Sequence, residues 1–92
     1  RSCARAAIDA VAAVAQRAAG YTAVLDGRFK GGYITRRYGQ PNTRVHTIQL
    51  ELAEITYMEE APPFAFDEAR AARLRPVLRA LLEAMLAAGR SL

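Results

Sequence analysis

Residues 44–55, RVHTIQLELAEI, alternate in polarity from Thr47 to Leu52, and this constrains the fold more than any other stretch of the chain. His46, Ile48, Leu50 and Leu52 fall on one side of an extended backbone, and Thr47, Gln49 and Glu51 on the other. A period of two is the pattern of a half-buried strand. The segment therefore predicts a strand with one apolar face on a core and one polar face carrying an amide and a carboxylate.

The flanking segments predict the elements around it. Residues 4–19 read as a helix, with Ile8, Val11, Ala12, Ala15 and Ala18/Ala19 at helical spacing and Gly20 as a stop. Its alanines favour helix and allow close packing on a sheet. Residues 21–27, YTAVLDG, read as a short strand ending in a turn at Asp26-Gly27. Residues 31–39, GGYITRRYG, fit a strand through Ile34, Thr35 and Tyr38. They fit better a short helix entered through Gly31-Gly32 and closed by Gly39. Residues 40–43 are a turn and 59–64 a loop. Asp67 can cap a long helix over 68–88, with Leu74, Val77/Leu78, Leu81/Leu82 and Met85/Leu86 as its apolar stripe. Pro76 falls inside it and predicts a kink or break. The order α-β-α-β-α is that of part of an α/β sheet with helices packed on it. If the two strands are parallel neighbours, 31–38 is the crossover between them.

With 92 residues the chain is at most one domain, with a marginal core. A hydrophobic share of 52% argues against disorder. Net charge is +4, and Lys30 is the only lysine beside the arginines, which suit bidentate recognition of carboxylate or phosphate. Cys3 is the only cysteine, so no internal disulfide forms, and a reducing, cytoplasmic setting is expected. No apolar run reaches membrane-spanning length and no leader is visible. One Cys and one His cannot supply three His/Cys metal ligands. The chain does not begin with Met and reads as helix almost at once, so it is expected to be the C-terminal piece of a longer protein, a single partial domain over 1–92.

Candidate chemistry gathers in two places. In DGRFKGGYITRRYG, residues 26–39, Arg28, Lys30, Arg36 and Arg37 surround Gly31-Gly32. Glycines let backbone N–H groups approach a ligand, and a helix N-terminus attracts anions. The plainer reading is a tight turn with solvated arginines. Glu51, near the end of the predicted strand and on one face with Gln49, is the candidate general base or metal ligand. Its plainer reading is an edge strand facing water. His46 lies five residues before Glu51, on the opposite face of a regular strand, and reads as a packed or hydrogen-bonded residue rather than a ligand. Tyr33, Tyr38 and Tyr57 are ordinary hydroxyl donors, Cys3 is inert, and the last helix packs on a core rather than a membrane.

DGRFKGGYITRRYGQP, then VHTIQLELAEITYMEE, then FDEARAARLRPVLRALLEAML together resemble the C-terminal part of the N-formylglutamate amidohydrolase family, across essentially the whole chain. The resemblance implies a zinc-peptidase-like, carboxypeptidase-related mixed sheet. It implies metal-dependent hydrolysis of N-formyl-L-glutamate to formate and L-glutamate in histidine degradation. Its Zn²⁺ ligands are expected upstream of these residues, with none here. Glu51 is implied as the general base. Arg28, Gly31, Gly32, Arg36, Arg37 and Gln49 are implied as the wall that binds a small substrate with two carboxylates. The family pattern often reads TRHYG where this chain has Arg37, so that position need not be catalytic. Two other readings compete: a basic binding module without chemistry, and an inactive piece of a related N-acyl amino acid amidohydrolase. Convergence of the cations on one glycine turn speaks against nucleic acid. A partial domain is also expected to expose faces through which it self-associates.

Overall fold

Two alanine-rich amphipathic segments form the helices that carry the molecule. A computed structural model of the protein describes residues 2–27 and 31–92. Helix α1 spans Arg5–Arg17, α2 spans Tyr33–Tyr38 and α3 spans Glu68–Ser91, with 3₁₀ turns at Pro41–Thr43 and Glu54–Thr56. α1 packs against α3. Ala7 of α1 and Ala71, Leu74 and Leu81 of α3 are buried, and Cys3 joins them just before α1. Ala71, Leu74 and Leu81 recur three and seven residues apart, the spacing that keeps side chains on one helix face.

The α/β expectation is overturned. Among the described residues there is no strand and no sheet, only two isolated antiparallel bridges, Gln40 with Val45 and Met58 with Phe66. Neither 21–27 nor 44–55 is a strand, so 31–38 is not a crossover. Alternation reports the sidedness of an extended chain, but a strand exists only where a second strand supplies its ladder. Residues 46–50 run without regular structure, and Thr47 N–H donates to the Ser2 carbonyl at 2.9 Å. Leu50 is 53% exposed, because no layer covers the face the pattern marked as apolar.

The helices follow the sequence more closely. α1 ends at Arg17, and Gly20 turns the chain away with φ +85°, the left-handed region open to glycine. Asp67 caps α3, its carboxylate accepting from Arg70 N–H at 3.0 Å. Arg70 also donates to the Met58 carbonyl at 2.8 Å and pairs with Glu59 at 3.3 Å, tying the preceding loop to the helix. α3 does not break at Pro76. The carbonyl that loses its partner there belongs to Ala72, which is exposed, so water can replace the missing N–H. On the same surface Arg75 grips Glu68 at 2.6 and 3.2 Å and, through that hydrogen bond, holds the Glu68 carboxyl below its usual range. The stability this adds is present above the ordinary carboxylate pKa and fades as pH falls through the lowered value. The pair is fully exposed, so the effect is small.

The stripe predicted on α3 is only half covered: Leu82 and Leu86 remain 68% and 58% exposed. The Cα radius of gyration is 14.6 Å, against roughly 12 Å for a compact domain of this length. Among the described residues no helix is long and apolar enough to cross a membrane.

Candidate active site

Three segments meet where the glycine-rich stretch, the alternating segment and the residues before α1 approach one another. Ser2 Oγ–H donates to the Thr47 carbonyl at 2.9 Å, and Ala4 N–H donates to His46 Nδ1 at 2.9 Å. His46 thus receives the amide of Ala4, the residue that caps α1, a hydrogen-bonded role as its position suggested, while its Nε2 is buried with no protein partner among the described residues. Thr47 Oγ–H donates to the Thr35 carbonyl at 2.8 Å, joining α2 to the same knot.

Gly39 sits at the centre of this knot. A Cβ there would lie 2.6 Å from Ser2 Cα and 2.6 Å from Thr47 Oγ1, with the Ser2 carbonyl oxygen closer still. Its φ of −71° is open to any residue, so close approach of the backbones, not conformation, requires glycine. Gly39→Ala is expected to destabilise the complete protein by about 1–3 kcal/mol, seen as a lower denaturation midpoint. An unchanged midpoint would mean that the Ser2 strap moves aside without penalty.

Beside the knot lies an open cleft of about 820 Å³. Gly31, Thr35 and Arg36 line it from the α2 side, and Gln49 and Glu51 from the facing segment. The Gln49 side chain links the two. Gln49 Oε1 accepts from Gly32 N–H at 2.6 Å and from Thr35 Oγ–H at 3.3 Å, while its Nε2–H donates to Glu51 Oε1 at 2.6 Å. Extended backbone puts residues i and i+2 on one side, so Gln49 and Glu51 meet although no ladder forms. Arg36 Nη1 donates to the Gly31 carbonyl at 2.7 Å.

The structure thus brings Glu51, Gln49, Gly31 and Arg36 to one cleft. It does not bring Arg37 there: the Arg37 guanidinium lies over the Tyr38 ring, 5.2 Å from its centroid. Gly32 lies beside the cleft with its amide engaged by Gln49, not presented to a ligand. Arg28 and Lys30 lie outside the described residues. Glu51 is exposed in these 92 residues. Thr35, not singled out from the sequence, lies on the cleft wall. The signal for it was its place four residues after Gly31, one helical turn on, where its side chain faces back over the glycine. Among the described residues no group of three His, Cys, Asp or Glu could hold a metal ion.

A carboxylate and an amide on one side of the cleft thus face a guanidinium on the other. The family model described as N-formylglutamate amidohydrolase matches residues 1–58, and the chain belongs to that family. It is 54% identical over 89 residues, 97% of its length, to the N-formylglutamate deformylase of Pseudomonas aeruginosa (strain PAO1). It is likewise 54% identical over 76 residues, 83% of its length, to the N-formylglutamate deformylase of Pseudomonas putida. The chain spans only 34% and 28% of these two relatives. No solved structure matches it.

Proposed function

We propose that the chain works as the C-terminal third of an amidohydrolase that cleaves N-formyl-L-glutamate to formate and L-glutamate, a step of histidine degradation. The observation that supports this reading is the 54% identity over 97% of the chain to a protein named N-formylglutamate deformylase. Water adds to the formyl carbon, the carbon–nitrogen bond breaks, and formate and the free amine leave. Glu51 takes a proton from the attacking water and returns it to the departing nitrogen. Arg36, held by Gly31, offers its remaining N–H donors to a substrate carboxylate and fixes its orientation.

Zinc is the metal proposed for the complete enzyme. Among the described residues no three His, Cys, Asp or Glu come together, so these residues do not fit a zinc centre, and the proposed ligands lie in the part of the relatives' length that the chain does not span. The proposed partner is a small anionic substrate, not nucleic acid or membrane. The proposed setting is the cytoplasm, which suits a chain with a single cysteine.

The test is formate release from N-formyl-L-glutamate by the complete protein, with and without a zinc chelator. Release that the chelator abolishes is the expected result. An intact, zinc-loaded protein that releases no formate would overturn the substrate, and release indifferent to the chelator would overturn the metal.

A further inference from the structure

Gln49 reaches from the facing segment to the α2 wall of the cleft, and the direction of its amide is determined by what it touches. Gly32 N–H is a donor, so the atom facing it at 2.6 Å must be the amide oxygen. The nitrogen then necessarily faces Glu51, where a carboxylate oxygen lies 2.6 Å away. The amide cannot flip without setting donor against donor at Gly32 and acceptor against acceptor at Glu51. A hydrogen bond to an ionised carboxylate is among the stronger kinds and restricts the rotation of that carboxylate. Among the described residues the other charged groups lining the same cleft are Arg5, Asp26 and Arg36. Arg5 pairs with Asp9 at 3.0 Å, and Arg36 donates to the Gly31 carbonyl at 2.7 Å.

We propose that Gln49 is a positioning residue for Glu51, not a substrate ligand. It transmits the place of the Gly31–Gly32 turn, and of α2 behind it, to the carboxylate that handles the proton. The inference rests on the general-base reading of Glu51. It gives the glycine pair a second use: Gly32 supplies the amide against which the whole arrangement is registered.

Gln49→Glu separates the two ends of the side chain. The new carboxylate still accepts from Gly32 and Thr35, so α2 stays docked, but Glu51 loses its donor and faces another acceptor. Gln49 is exposed, so the loss leaves no buried unsatisfied group and the melting temperature is expected to stay put. Gln49→Met, uncharged and of similar size, removes both ends.

In the complete enzyme Q49E is expected to lower kcat about 100-fold with KM near its starting value, and Q49M to lower kcat as well. A raised KM with unchanged kcat in Q49M would make Gln49 a substrate contact and overturn the proposal. Normal turnover in Q49E with a lowered melting temperature in Q49M would make it purely structural and overturn it too. Glu51→Gln is measured alongside. If E51Q still turns over, the general-base reading fails. If E51Q is inactive while Q49E is fully active, the positioning role alone fails.

Discussion

Glu51→Gln is expected to reduce turnover of N-formyl-L-glutamate by the complete enzyme ~10²–10⁴-fold, the usual contribution of a positioned general base. The substitution is nearly isosteric, and the amide oxygen it introduces can still accept from Gln49 Nε2. The hydrogen bond that ties the side chain to the cleft wall therefore survives, and with it the local fold. KM and the melting temperature should stay close to those of the parent. The loss then belongs to proton transfer and not to a damaged site. Parent-like kcat in E51Q, measured by formate release, would remove Glu51 from the mechanism. The surrounding cleft would be left as a binding wall.

The second large effect concerns residues 1–92 expressed alone. They are expected to release no formate and to self-associate. Only Cys3, Ala7, Ala71, Leu74 and Leu81 are buried apolar residues among those described, and none of the larger side chains is fully enclosed. Val24, Ile34, Leu50, Ile55, Leu82 and Leu86 all lie more than half exposed. Together with a radius of gyration above that of a closed domain, this leaves apolar surface with a driving force of ~25 cal/mol per Å² toward any cover. A stable interface needs roughly 800 Å² from each partner, and a second copy is the nearest source. Sedimentation should show mass rising with concentration, with strong binding of a hydrophobic dye. A monomer that binds no dye at every concentration would show that α1 and α3 alone enclose a sufficient core.

How much of this was legible beforehand depended on the range of the interactions involved. Asp67 capping α3, the short helix after Gly31-Gly32 and the left-handed turn at Gly20 were readable because each is settled within one turn of chain. The same holds for the meeting of Gln49 and Glu51, which needs only extended backbone. The family, too, was readable, through a long motif in which glycines, arginines and tyrosines recur at set spacing. The sheet was misread for the opposite reason. RVHTIQLELAEI carries the sidedness of a strand, but its partner must come from elsewhere, and no other described segment supplies a ladder. Pro76 was expected to kink or break α3, and the break does not occur because the cost of its missing N–H depends on whether Ala72 can reach water.

By itself, then, the order of residues determined where the three helices lie to within a few residues at their ends, which family the chain belongs to, and which carboxylate and arginines are candidates for its chemistry. Local backbone energetics and short-range spacing carry that information. Only the tertiary structure decided that Arg36 joins the cleft while Arg37 stacks on Tyr38. It alone decided that Gly32 faces Gln49 instead of open space, and that Gly39 must stay small beneath Ser2. These outcomes depend on segments many residues apart arriving within hydrogen-bond distance, and no local preference encodes such an arrival.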